Sequence, residues 1–311
     1  MEKQLTLASS PHIHSGRSTS RIMLDVILAL CPAAIAGVVI FGWRALLVLA
    51  ITVGSCVGFE ALFNLIVKKE QTIGDFSAIV TGLLLGMNLP ANIPLWQCVI
   101  GSLFAMVVVK GLFGGLGNNP VNPAITARVF MLVAFGSMTK AAFPKIVDAV
   151  SSATPLSLAA GETAPSLLDL FLGVQGGAIG ETCAAALLAG GIYLLVRRVI
   201  TWQIPVAFIG TVFVCSLFME RFDFLAALAA ILSGGLLLGA IFMATDYVTS
   251  PVTPWGKIIF GVGAGLITFL IRYFGTYPEG VSFAILFMNI LTPYINSWTK
   301  RKVFGTGGKK A

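Results

Sequence analysis

Charge is scarce in this sequence. Its 311 residues include only 13 acidic and 20 basic side chains, and 11% charged against 57% apolar residues, with a mean hydropathy of +0.94, excludes a soluble globular domain. Metal ligands are scarce as well. The five cysteines, at 31, 56, 98, 183 and 215, fall in apolar runs and form no close pair, so this chain alone offers no zinc or iron–sulfur motif and no metal site is expected. Such cysteines act as small hydrophobes. No acid–base or nucleophilic triad is apparent. The polar first 21 residues carry His12, His14, Arg17 and Arg21 and offer no small-residue cleavage site, so they read as a retained cytoplasmic segment, not a signal peptide.

What the sequence has in abundance is apolar runs long enough to cross a hydrocarbon core, which takes about 20 helical residues. Spans are expected near 22–41, 44–67, 75–89, 94–112, 122–137, 179–196, 203–219, 224–245, 256–274 and 280–298, ten in all. The shortest, 75–89 and 122–137, end against Gly, Pro or Asn, the mark of broken or half-length helices whose free backbone groups face protein or a polar cavity. The net charge of +7 reflects basic residues placed between spans, not on one soluble module, and nucleic acid is not an expected partner. With the N-terminus inside, fourteen of the twenty Lys and Arg residues fall on the cytoplasmic side and five outside, with Arg128 within a span, so both termini are expected in the cytoplasm.

The spans divide five and five around the long loop 138–178. Pro94 and Pro254, Trp96 and Trp255, Phe113 and Phe274, Gly114 and Gly275, Ala124 and Ala284, and Ile125 and Ile285 keep an offset of 159 to 161, and a Gly-Leu-Leu-Leu-Gly run occurs at 82–86 and again at 235–239. Five is odd, so the second half enters from the opposite side and the repeat is inverted. The expected fold is an all-α polytopic membrane protein of about ten transmembrane helices in a 5+5 inverted repeat with broken helices. Its segments are 1–21 (cytoplasmic), 22–137 (first repeat), 138–178 (external loop), 179–298 (second repeat) and 299–311 (cytoplasmic basic tail). From this pattern alone a small-solute channel or transporter would lead.

Three segments carry chemistry. In the first, Gly111 to Ala124, glycines permit close approach of backbone to a flat ligand, and the amides of Asn118, Asn119 and Asn122 can pair with a heteroaromatic ring; the bland alternative is a Gly/Asn turn between helices. No GK[ST] follows, so it is not a phosphate loop of the Walker kind. The second, Asp148 to Leu156, presents Ser and Thr hydroxyls on the longest extramembrane stretch, where a modifying enzyme could reach them, although Thr-Pro commonly means only a turn. The third, Phe242 to Trp255, gathers Asp246, Thr245, Thr249 and Ser250, oxygens suited to a hard cation or a proton relay. Asp25, Glu60 and Glu181 also need a reason to lie in spans, either ion coupling or pairing with Arg21, Arg44 or Arg128.

Taken together, Ser-Pro-His-Ile at 10–13, Ser20 to Asp25, Gly-Gly-Leu-Gly-Asn-Asn-Pro-Val-Asn-Pro-Ala at 114–124, Ser-Ser-Ala-Thr-Pro-Leu at 151–156, Phe242 to Pro251 and Tyr277 to Ala284 resemble the D subunits of Rnf-type ferredoxin:NAD oxidoreductases, over residues 10 to about 298. The B subunit of the sodium-pumping NADH:quinone oxidoreductase is the close, quinone-reducing relative; it carries a longer N-terminal extension, and the Rnf type is preferred here.

The resemblance implies FMN joined through its phosphate to a threonine in an S/T-G-A-T motif by a flavin transferase working outside the cytoplasm. The matching residues are Ser151, Ser152, Ala153 and Thr154, with Thr154 the attachment site, Ser152 standing where Gly is usual and Asp148 nearby. It also implies a second, non-covalent riboflavin, for which Asn118, Asn119 and Asn122 are the expected contacts. The expected partners are iron–sulfur and flavin subunits of an Rnf-type complex in a prokaryotic cytoplasmic membrane. In that setting ferredoxin electrons pass through flavins to NAD and drive Na⁺ or H⁺ outward, with Asp246, Asp25 and Glu60 the candidates for ion coupling. A scaffold for other redox subunits is a third reading, one that leaves Thr154 unmodified.

Overall fold

The computed structural model describes residues 18–139, 167–173, 176–275 and 280–300. The described part is helical. The N-terminal group comprises α1 (Thr19–Phe41), α2 (Trp43–Val67), α3 (Ser77–Met87), α4 (Leu95–Leu103, continued by π-helical turns over Phe104–Gly111) and α5 (Pro123–Ala134). A short helix, α6 (Leu167–Leu172), precedes the C-terminal group. That group comprises α7 (Ala184–Val196), α8 (Gln203–Met219), α9 (Phe224–Leu232), α10 (Leu236–Leu238, continued by π-helical turns over Gly239–Met243), α11 (Pro254–Phe274) and α12 (Val281–Thr299).

Local chemistry sets these boundaries. Asn122 and Thr253 each precede a proline that occupies the first helical position, where a missing N–H costs nothing, and their side-chain oxygens accept from the first free amides of α5 and α11. Asp223 caps α9 in the same way, and Ser18 caps α1. Three helices, α1, α2 and α11, are long and apolar enough to cross a membrane. The α9–α10 pair would make a fourth, bent by 66° at its break. With five further apolar helices of 10–17 residues, the chain reads as a multi-pass membrane protein.

Small residues let these helices approach closely, as packing without a hydrophobic driving force requires. A Cβ on Gly82 would stand 2.6 Å from Val53 Cα, and one on Gly86 2.5 Å from Thr52 Oγ1, so this Gly-xxx-Gly run lays α3 directly on α2. In the other group Gly261 and Gly265 admit Ala207 and Thr211 and seat α11 on α8. Between the groups, α1 packs on α7 and α5 on α12.

One segment departs from expectation. The span expected at 179–196 begins as a helix only at Ala184; residues 176–183 are instead irregular chain folded into the bundle, with Ile179, Gly180, Glu181 and Thr182 all buried. Buried irregular backbone needs partners. It finds them at the break after α3, where Ile179 N donates to Leu89 O at 3.0 Å and Gly180 N to Met87 O at 2.7 Å. Gly37 on α1 makes room for this strap, since a side chain there would collide with the Ile179 carbonyl.

Candidate functional site

Two of the three sequence segments meet in one cavity. It has a volume of about 90 Å³ and lies among α1, α3, the π-helical end of α4, the Asn-rich turn, the start of α5 and the chain that follows α10. Its polar lining includes Lys110, Asn119, Asn122 and Asp246, and its apolar walls include Val26 and Val80. Both π-helical stretches reach it, one through Lys110 and the other through Phe242. Such stretches widen a helix and recur at functional sites.

Each polar group there has a defined task. Asn122 is largely occupied by structure: Oδ1 accepts from Ala124 N at 3.0 Å and Ile125 N at 3.3 Å, and Nδ2 donates to Met243 O at 3.3 Å, tying the two chemical segments together. Asn119 Nδ2 donates to Val121 O at 3.1 Å, and Asn119 faces the cavity. Asn118 does not line it. Asp246 follows the end of α10 and accepts from Thr249 Oγ1 at 3.0 Å. Burial pushes its carboxyl above the ordinary carboxylate range, opposed by that bond and by bonds from the Val248 and Tyr247 amides.

Behind the cavity lies a buried ion pair that sequence reasoning missed. Lys110, one of the fourteen basic residues counted on the cytoplasmic side, is 4% exposed, and its Nζ stands 2.6 Å from both Glu60 Oε1 and Ser77 Oγ. Ser77 Oγ donates onward to Asp75 Oδ1 at 2.5 Å, and Thr72 Oγ1 donates to Glu60 Oε1 at 3.1 Å. The second oxygen, Glu60 Oε2, is buried without a donor. The sequence signal here is a basic and an acidic residue inside apolar runs, each of which needs some partner there.

A second buried pair joins Arg128 on α5 to Glu181 on the strap, Nη2 to Oε1 at 3.4 Å, and Arg128 Nη1 also donates to Asn88 Oδ1. Glu181 Oε2 accepts from Ala178 N at 3.0 Å. Gly235 leaves space for this pair, because a Cβ there would lie 2.8 Å from Glu181 Oε1. Asp25 is elsewhere. It accepts from Tyr193 Oη at 2.9 Å and from Arg197 Nη2 at 3.3 Å, holding α1 to α7. Asp148, Ser151, Ser152, Ala153 and Thr154 lie outside the described residues. Among the described residues no three His, Cys, Asp or Glu side chains gather as a metal site.

Comparison with known proteins returns one family. The profile described as the NQR2, RnfD, RnfE family matches residues 6–305. The chain is 49% identical over 311 residues to the D subunit of the Na⁺-translocating ferredoxin:NAD⁺ oxidoreductase complex of Acetobacterium woodii, covering 98% of this chain and 96% of that protein. It is 41% identical over 322 residues to the D subunit of the proton-translocating ferredoxin:NAD⁺ oxidoreductase complex of Clostridium ljungdahlii, covering 97% and 96%. To the D subunit of the ion-translocating oxidoreductase complex of Cronobacter sakazakii it is 38% identical over 344 residues, covering 96% and 98%.

Proposed function

The chain belongs to the NQR2, RnfD, RnfE family, and from that membership we propose that it is the D subunit of an ion-translocating ferredoxin:NAD⁺ oxidoreductase complex, carrying FMN on Thr154 and riboflavin in the cavity beside Asn119 and Lys110. The observation that carries this reading is near full-length similarity, at 49% and 41% identity, to subunits of that name. One of those relatives is named for Na⁺ and the other for protons, so the ion is left as either. Complex partners and a flavin transferase belong to the same proposal.

The residues of the cavity suit one edge of a flat heteroaromatic ring. Val26 and Val80 supply apolar walls, the Asn119 amide can pair with a ring edge, and the Lys110 ammonium lies within the lining beside the Ser77 and Thr81 hydroxyls. Bound flavins supply the redox chemistry. The chain's part is to hold them, keep water away and place charge near them. Asp246, with Thr249 beside it, and Glu60, with its bare Oε2, are the acceptors proposed for a coupled cation or proton. Asp25 is a weaker candidate, because Tyr193 and Arg197 already engage it.

The ten-span inverted repeat with cytoplasmic termini is the arrangement we propose for this subunit. It is supported by the matching order of α1–α5 and α7–α12, with α9 and α10 as one broken span, and by α1 meeting α7 and α5 meeting α12. Two arginines on helices that the repeat does not relate satisfy carbonyls at helix breaks. Arg44 donates to Ala91 O at 3.1 Å and Ile93 O at 3.4 Å, and Arg272 donates to Ala230 O at 2.7 Å and Ser233 O at 3.1 Å.

The test is flavin fluorescence of the chain after denaturing electrophoresis, expressed with the flavin transferase, beside Thr154→Val. Fluorescence that survives denaturation in the parent and vanishes in the variant is the expected result. A dark parent band refutes the covalent flavin and returns the channel and scaffold readings.

A further inference from the structure

A groove on the outside of the bundle, which shares Ile200 with the lining of the proposed flavin cavity, combines two features. It is an apolar trough of about 300 Å³ between α7 and α8, with Leu188, Ile192 and Leu195 on one bank, Val206 and Ile209 on the other and Ile241 beneath. Gly191 forms part of the floor; a Cβ there would stand 3.0 Å from Ile241 Cγ2, so the absence of a side chain keeps the trough open. From Leu188 to Leu195 on α7 the trough runs about 10 Å at the helical rise of 1.5 Å per residue.

In a membrane an apolar trough attracts nothing by hydrophobicity, since the surrounding tails are equally apolar. Selectivity has to come from its polar end. That end is the connection from α7 to α8, where Ile200 lines the trough and the next residue, Thr201, accepts from Lys257 Nζ at 3.0 Å. Lys257 lies in the first turn of α11, which has no acidic residue, so its own helix dipole opposes the charge. No carboxylate pairs with it among the described residues. Arg198 lies in the same connection, and Trp202, 58% exposed, stands at the start of α8, as interfacial aromatics do.

We infer that this is a binding site for an anionic phospholipid, with the phosphate on Lys257 and Thr201 and one acyl chain in the α7–α8 trough. Cation and trough meet at Ile200–Thr201, which places head group and tail on one molecule. The Lys257 ammonium supplies the charge complementarity that a zwitterionic lipid does not use.

The test uses membranes containing the assembled complex, supplemented with phosphatidylglycerol or phosphatidylcholine bearing a photoreactive diazirine in the acyl chain, with labelled peptides mapped by mass spectrometry. Phosphatidylglycerol is expected to label 188–209 several times more than phosphatidylcholine does. Lys257→Gln lowers that labelling about fivefold, the weight of one basic residue on an anionic lipid, and Lys257→Arg retains it. Val206→Trp, which fills the trough, also lowers it. Equal labelling by the two lipids, labelling insensitive to Lys257→Gln, or loss with Lys257→Gln but none with Val206→Trp would overturn the site. Absence of any label in the parent would do the same.

Discussion

Breaking the Lys110–Glu60 pair from one side should harm the protein far more than removing it from both. At a separation of 2.6 Å and an effective dielectric of about 20, the two charges attract by about 6 kcal/mol. Removing each from water costs several kcal/mol, so the pair as a whole contributes little net stability. Lys110→Met leaves the Glu60 carboxylate buried, with Thr72 its remaining side-chain donor, and Glu60→Leu leaves the ammonium on Ser77 alone. Each single change should cost about 3–5 kcal/mol. The double variant replaces two buried ions with apolar groups of similar size and should return to within about 2 kcal/mol of the parent. Equilibrium unfolding in mixed detergent micelles, followed by tryptophan fluorescence across the four proteins, measures the coupling as a double-mutant cycle. A double variant that loses the sum of the single losses, or a single variant within about 1 kcal/mol of the parent, would refute the reasoning.

Other perturbations read other parts of the molecule. The raised Asp246 carboxyl means that the folded state holds its proton longer than the unfolded chain, so stability should fall as pH rises from about 4, the unfolded value, until the folded group ionises. Asp246→Asn should remove that part of a pH–stability profile, and an unchanged slope counts against the assignment. Gly37→Val forces a side chain against the Ile179 carbonyl and should cost about 1–3 kcal/mol, with faster amide exchange at Ile179 and Gly180; unchanged protection would show that the strap does not depend on that contact. Arg272→Met strips the donors from the Ala230 and Ser233 carbonyls and should cost about 1–3 kcal/mol, seen as faster exchange across α9. Unaltered exchange there would mean that water satisfies those carbonyls.

Apolar runs and their Pro, Asn and Gly punctuation locate the helices, because in a bilayer length and hydropathy are nearly the whole requirement for a span. The same punctuation points to the turn at 114–122 and the segment at 242–255, which the fold brings to one cavity. Pairing is illegible. Lys110 and Glu60 are 50 residues apart, Arg128 and Glu181 53, and Asp25 and Arg197 172, and one sequence carries no record of which charge meets which. Hydropathy also cannot distinguish buried irregular chain from helix, so Glu181, expected inside a span, is found on the strap before it. Asn122 shows a third limit. An amide that suits a ligand suits a helix cap equally well, and here the cap and the tie to Met243 occupy it.

The Arg128–Asn88–Glu181 junction also bears on how the chain is made. Arg128 is committed to the membrane with α5, but its carboxylate arrives 53 residues later. At roughly 5–20 residues per second, synthesis leaves that guanidinium waiting about 3–10 s for its counter-ion. During that interval an intramembrane charge lacks Glu181, with Asn88 among the groups that hold it, a costly state in hydrocarbon. The N-terminal group of helices is therefore expected to complete its packing only when the strap arrives, and chains truncated before residue 181 should be preferred substrates for membrane quality-control proteases.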